Sequence, residues 1–195
     1  MSRLSSAASK GPHASMVSTL LLFPTETEAA GLRHRRRDAA SAVIGVGMAE
    51  AAAGTAHAIA TLHPRRVVLC GIAGVCGGGL CAGEVVEVVE DSVAALPAAY
   101  RRSYRSPRRT ALKAARAVTV NAVGEALPSL PPQTGEELPV VEQMEGASVA
   151  AVCAALGVEY MHIRAISNRV GDDRGAWRVA DAVEALGAVA AELCL

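Results

Sequence analysis

One unit recurs along the chain: a short apolar run, a tight turn rich in Gly or Pro, and then an Ala-rich stretch with helical spacing. Residues 20–23 lead into Pro24-Thr25-Glu26-Thr27-Glu28, and residues 42–44 lead through Gly45-Val46-Gly47 into a helix predicted over Met48–Leu62. Residues 67–70 lead into a turn predicted at Gly71-Ile72-Ala73-Gly74. Such alternation predicts an α/β domain. The run Val67-Val68-Leu69-Cys70 has no polar position at all, which predicts strands covered on both faces in a mostly parallel sheet. Residues 85–89 and 117–120 add two more strands. Toward the C-terminus the pattern predicts a helix over 144–156 stopped at Gly157, a strand over 159–166 and a closing helix over 179–195.

Two stretches break the pattern. Residues 100–116 are arginine-rich with little apolar periodicity, and residues 128–139 are Pro-rich, so the middle of the chain is expected to form a surface excursion of solvated helix and loop. A phosphate or nucleic-acid patch is the other reading of those arginines. The first fifteen residues, Ser/Ala-rich and without apolar period, are expected to be a disordered leader or a misplaced start before Met16, leaving residues 16–195 as one domain.

Composition narrows the classes. The chain has 195 residues, 51% of them apolar, and 19 basic against 19 acidic side chains, so no net basic field is present to attract nucleic acid. A chain of this length buries roughly 70% of the surface its unfolded form exposes and needs no disulfides to fold. Its five cysteines (Cys70, Cys76, Cys81, Cys153, Cys194) show no metal-ligand spacing and are expected to be reduced core residues, with a nucleophilic Cys70 or Cys76 as the rival reading. The longest uncharged stretch, residues 67–83, is broken by six glycines, so no membrane span is expected. The apolar patch at 17–23 is followed by Pro24, Glu26 and Glu28 instead of a small-residue cleavage site, which favours a cytoplasmic protein over a secreted one.

In open α/β sheets, ligands gather beyond the carboxyl ends of the strands. By that rule the candidate residues are Glu26 and Glu28, the Gly71–Gly74 segment, and Ser167-Asn168, with Glu145 added by type. Gly45-x-Gly47 lacks the third glycine of a dinucleotide fingerprint, because Glu50 stands there, and the Gly71–Gly74 segment lacks the Lys-Ser/Thr of a P-loop. Its small residues would let a ligand lie against the backbone. Glu142 and Glu145 can equally serve as acids at a helix start, Asn168 as an Asx-turn residue, and Trp177 as a packing residue.

Taken in order and spacing, LLLFPTETEAAGL, IGVGMAEAAAGTAHA, VVLCGIAGVCGGGLCAGEVV, VEQMEGASVAAVCAALG and YMHIRAISNRVGDDRGAW resemble the purine nucleoside phosphorylase and nucleosidase superfamily. MEGA together with IRAISNRVGDD brings the chain nearer to the futalosine hydrolases of menaquinone biosynthesis than to the 5′-methylthioadenosine/S-adenosylhomocysteine nucleosidases. The resemblance covers residues 20–89 and 140 to the C-terminus; residues 92–139 match weakly and are shortened. It implies a single three-layer α/β domain with a mixed, mostly parallel sheet flanked by helices, and a homo-oligomer. It also implies release of hypoxanthine from futalosine, leaving dehypoxanthine futalosine, with neither metal nor organic cofactor.

Residue by residue, the resemblance makes Glu28 the carboxylate that activates water and Glu145 the acceptor of the ribose 2′- and 3′-hydroxyls, with Met144 under the sugar. Ile72, Ala73 and Gly74 would line the purine pocket, and Asn168 would face N7 and O6 of the base. An oxocarbenium-like transition state calls for these carboxylates. Asn168 offers an amide NH₂ where adenine-releasing relatives have an Asp, which favours a 6-oxopurine. Leu69 and Ile72 stand where bacterial phosphorylases carry Arg and Ser, which favours water over phosphate. The shortened middle keeps only part of a Thr-rich strand at Thr119 and has Leu127 where a Phe is common. A related nucleosidase or phosphorylase, and a non-catalytic nucleoside-binding protein, therefore stay open.

Overall fold

A computed structural model describes residues 17–94, 96–126 and 137–194. The expected leader, the start at Met16, most of the Pro-rich stretch, Leu127 and Leu195 lie outside the described residues. In chain order the elements are β1 (Thr19–Phe23), α1 (Glu26–Arg35), β2 (Ser41–Val43), α2 (Met48–Leu62), β3 (Arg66–Cys76), β4 (Val85–Val93), β5 (Ser103–Arg105), β6 (Lys113–Thr119), β7 (Val140–Gln143), α3 (Gly146–Leu156), β8 (Glu159–Arg169) and α4 (Val179–Glu192).

The strands alternate their side chains between two faces, and each face has its own helices. Leu21 and Phe23 of β1, with Val68, Cys70 and Ile163, pack against Ala29 and Leu32 of α1 and Leu186 of α4. Leu20 and Leu22 point the other way, onto Ala51 and Ile59 of α2 and Val149 and Cys153 of α3. That period of two, covered on both sides, is why the strands read as unbroken apolar runs, and it gives the three layers expected.

All eight strands belong to one sheet. The pairs β1–β2, β1–β3, β3–β8, β4–β6 and β6–β7 are parallel, while β3–β7, β4–β5 and β4–β8 are antiparallel. The sheet is therefore mixed and mostly parallel. Because β8 pairs with both β3 and β4, the path β3-β7-β6-β4-β8 returns to β3 and closes a barrel-like ring. Its interior is filled by strand side chains, among them Val75, Val86, Val88, Val141 and Ile166.

Three expectations are corrected. Gly71-Ile72-Ala73-Gly74 is not a turn: β3 runs straight through it, paired with β8 from Arg66 opposite Glu159 to Val75 opposite Arg169, with a register shift at Ala73/Gly74. Glycine is required there for close approach, since a Cβ on Gly71 would come within 2.3 Å of Arg164 Nη1. Ser167 and Asn168 lie inside β8, not beyond it, because the same pairing carries that strand on to Arg169. The arginine-rich segment forms no α-helix; it contains a 3-10 turn at Ala98–Tyr100, β5 and the start of β6. β5 is a polar edge strand, whose Ser103 and Arg105 hydrogen-bond Glu90 of β4, and edge strands tolerate such charge.

Candidate active site

All four α-helices begin at one end of the sheet, with N-caps at Thr25, Gly47, Glu145 and Arg178. Beside them lies a cavity of about 340 Å³, and Glu28, Ile72, Ala73, Gly74, Met144, Glu145 and Asn168 are all on its wall. The structure thus brings these residues together with Ser167, while two other candidates fall outside the cavity: Glu26 is exposed and pairs with Arg33, and Gly71 lies against Arg164.

Glu28 is placed by the start of α1. Thr25 caps the helix by accepting the Glu28 N–H at 3.2 Å, and its hydroxyl donates to Glu28 Oε2 at 2.6 Å. The other oxygen, Oε1, accepts the peptide N–H of Ile72 at 2.9 Å. Burial raises the pKa of Glu28 above its ordinary value, opposed by these two hydrogen bonds and by the charge of Arg164. A carboxylate so held is fixed in direction and is a better base than a solvated one.

Glu145 faces it from the start of α3. Its Oε1 accepts the Gly47 N–H at 3.1 Å and its Oε2 pairs with Arg164 Nη2 at 3.2 Å, with both residues almost fully buried. The helix start is capped instead by Gln143, whose Oε1 accepts the N–H groups of Glu145 and Gly146 at 2.8 and 2.6 Å. The capping role considered for Glu145 is therefore not what its side chain does. Glu142 does not begin the helix either. It lies in β7 and accepts the N–H groups of Gly124 and Ala126 at 2.7 and 2.9 Å, holding the 121–126 turn at the cavity.

Arg164 joins the two carboxylates. Besides Glu145, it donates through Nη1 to the Ile72 carbonyl at 3.1 Å, and the N–H of that same residue holds Glu28. Its Nη2 also reaches Gln143 Oε1 at 3.0 Å, and its Nε reaches His162 Nε2 at 2.7 Å. Accepting at Nε2 puts the imidazole proton on Nδ1, which faces Asp91 Oδ2 at 3.7 Å. Burial, with Arg164 beside it, keeps His162 well below its ordinary pKa and hence neutral. Asp91 is held by Thr119 at 3.0 Å and by Gln143 at 3.0 Å. Gly146 is obligatory over this array, because a Cβ there would stand 2.1 Å from Asp91 Oδ2. The sequence alone assigns no role to Asp91, Gln143, His162 or Arg164. Their signal was polar residues two apart, His162 and Arg164, inside an apolar strand, where burial demands partners.

Burial raises Asp91 from an ordinary 3.8 to about 7, against the lowering by Thr119, Arg164 and Gln143. Between those two values the folded state holds a proton that the unfolded state has lost, so this group makes stability fall as pH rises through that window. Denaturant titrations of wild type and Asp91→Asn at pH 5 and pH 8 check this: the variant loses less stability between the two pH values. Equal losses would show that Asp91 does not titrate there.

At the β8 side of the cavity, the Ser167 hydroxyl donates to Asn168 Oδ1 at 2.7 Å and Asn168 Nδ2 donates to the Arg169 carbonyl at 3.0 Å. With Oδ1 occupied, the amide has its second N–H to offer. Trp177 lines the cavity and is half-buried, a wall residue rather than a core one. Leu69 is fully buried among α2 and α3 residues, away from the cavity. Cys70, Cys76 and Cys153 are core residues, Cys194 is half-buried, and Cys81 is exposed, against expectation, in the Gly-rich 77–84 turn. Burial pushes the Cys76 thiol up to about 12 and Cys70 higher still, and neither lines the cavity, so neither is a nucleophile for it. Among the described residues no cluster of His, Cys, Asp and Glu could hold a metal, and no helix is long and apolar enough to cross a membrane.

A family model described as the phosphorylase superfamily matches residues 133–195. Futalosine hydrolase from Thermus thermophilus is 34% identical over 172 aligned positions, covering 73% of this chain and 75% of that protein. Futalosine hydrolase from Streptomyces coelicolor is 50% identical over 48 residues, which is 24% of this chain and 20% of that protein. A solved structure of a futalosine hydrolase mutant from Helicobacter pylori superposes with a TM-score of 0.75 at 14% identity, covering 91% of this chain and 99% of that one, and shows the shared fold. The chain belongs to the futalosine hydrolase family, nucleosidases of the phosphorylase superfamily.

Proposed function

We propose that the protein hydrolyses the N-glycosidic bond of futalosine, releasing hypoxanthine and leaving dehypoxanthine futalosine. The observation that carries this reading is the pair of buried carboxylates on the wall of one cavity, Glu145 paired with Arg164 and Glu28 held by the N–H of Ile72, whose carbonyl accepts from the same guanidinium. Glu145 accepts hydrogen bonds from the ribose 2′- and 3′-hydroxyls while Met144 packs under the sugar. As the bond from C1′ to N9 breaks, its electron pair passes to the purine and positive charge builds on the sugar, which the two carboxylates stabilise. Glu28 takes a proton from the water that attacks C1′, and the departing purine takes up one proton through solvent to leave as neutral hypoxanthine, so that Glu28 is restored when it gives up its own. Asn168 donates its amide N–H to the base edge, which Ala73 and Gly74 flank. No cofactor enters these steps. The same reading takes the protein to be a cytoplasmic homo-oligomer of menaquinone biosynthesis.

Base release, followed by chromatography on futalosine, inosine and methylthioadenosine with and without phosphate, tests it. Hypoxanthine from futalosine without phosphate is expected; adenine release, a phosphate requirement or binding without release overturns it. The Asn168→Asp variant gives the specificity prediction. A carboxylate there accepts where the amide donated, so preference should move at least tenfold from 6-oxopurine toward adenine nucleosides, read as the ratio of kcat/KM values. An unchanged ratio would remove Asn168 from base recognition.

A further inference from the structure

Among the residues lining the cavity, Arg174 is the one cation, and no step above uses it. It opens a 3-10 turn, Arg174–Ala176, in the link from β8 to α4. Its guanidinium carbon lies 5.3 Å from the centroid of the Trp177 ring. Trp177 is itself fixed, its indole N–H donating to the Asp172 carbonyl at 3.3 Å. The next residue ties the link back to β8 beside Asn168, with the Arg178 N–H donating to the Ser167 carbonyl at 2.7 Å. Arg178 and Arg35 spend their charge on Asp181 and Glu184, but no carboxylate oxygen among the described residues lies within ion-pair distance of Arg174. Arg174 is exposed at the cavity mouth and follows Asp172 and Asp173 in the chain, yet neither carboxylate pairs with it; a cation seated on an aromatic ring and free of an ion pair is suited to an anion on the ligand.

The position of that anion follows by elimination, and this step rests on the function proposed above. Asn168, Ala73 and Gly74 take the base, Glu145 takes the 2′- and 3′-hydroxyls, and Glu28 takes the attacking water. Of the wall left for the substituent on C5′, which also includes Thr25, Thr27, Val120 and Val123, the part formed by Pro24, Val46, Trp177 and Val179 is the one that shares the cavity's single cation, Arg174, and its indole. α1 and α4 run side by side in the same direction, Gly31 against Gly187 and Arg36 hydrogen-bonded to the Ala191 carbonyl, so Val179 stands near the start of α1 where Pro24 and Thr25 lie. Apolar surface and an indole suit an apolar or aromatic group, and the guanidinium suits a carboxylate at its end.

We propose that Arg174, seated on Trp177, forms a subsite for a carboxylate carried on the 5′ side of the nucleoside, and is the residue that selects the acid over uncharged 5′ substituents. Futalosine, which bears a benzoate there, meets this requirement; inosine does not. The test compares futalosine with its carboxylate methyl ester on wild type, Arg174→Gln and Arg174→Lys. Wild type is expected to favour the free acid by about tenfold or more in kcat/KM, chiefly through KM. Arg174→Gln brings the acid-to-ester ratio near one, and Arg174→Lys restores part of it, which loss of loop structure would not allow. The same ratio in Arg174→Gln as in wild type overturns the subsite. Failure of the hydrolysis reading shows separately, as wild type releasing no hypoxanthine from futalosine. In that event calorimetric binding of acid and ester to the same three proteins decides, equal affinities on wild type overturning the subsite.

Discussion

Glu28→Gln lowers kcat on futalosine by ~10²–10⁴-fold, the usual contribution of a positioned general base. The amide keeps the size of the side chain, and its oxygen still accepts the Ile72 N–H, so the start of α1 and the cavity wall persist. What is lost is the lone pair that takes the proton from water and the negative charge beside the forming oxocarbenium ion. Both matter more in the transition state than in the bound substrate, so the loss falls on kcat more than on KM. Steady-state kinetics with calorimetric binding of futalosine check this. A variant that retained more than a tenth of wild-type kcat would move the role of base to another residue. The raised pKa of Glu28 adds a second signature: the acid limb of the wild-type kcat profile lies above the ordinary carboxylate range, since the base works only once deprotonated.

Arg164→Met costs about 3–5 kcal/mol of stability and abolishes turnover with it. The guanidinium is 1% exposed, and four of its five N–H groups are engaged by His162, Ile72, Gln143 and Glu145. Methionine fills much of the volume but leaves the Glu145 carboxylate buried with the Gly47 N–H as its remaining partner, and leaves the Ile72 carbonyl and His162 Nε2 without donors. For a domain of this size each kcal/mol lowers the melting temperature by about 2–4 °C, so a fall of roughly 10 °C is expected in calorimetry. Arg164→Lys recovers little, because an ammonium cannot reproduce a planar fork serving several acceptors at once. A loss below about 1 kcal/mol would mean that Glu145 finds another partner.

What was legible in the sequence depended on range. α2 matches its predicted bounds at both ends, and β1 and α3 follow closely, because apolar spacing and flanking Gly or Thr are local signals. The Gly71–Gly74 segment misled because glycine ordinarily marks a turn, whereas here its lack of a side chain makes room for an arginine from a distant strand. Nothing near Gly71 in sequence announces Arg164. The closing pair β4–β8 is hidden for the same reason, being set by where two remote strands meet. Of the site, the walls were legible through the order of motifs and the resemblance they carry. The buried array beneath them was not, since Asp91 and His162 act on Arg164, on Gln143 and on each other rather than facing the cavity.

The ring of strands has a further consequence for how copies of the chain meet. Unpaired strand edges invite neighbouring molecules to add strands of their own, and a closed path has no such edge. Among the described residues the strand order ends at β2 and β5, each three residues long. Both are too short to template an extended ladder, and β5 carries polar and charged side chains along its length. Neither end of the strand order therefore favours the addition of strands from another copy.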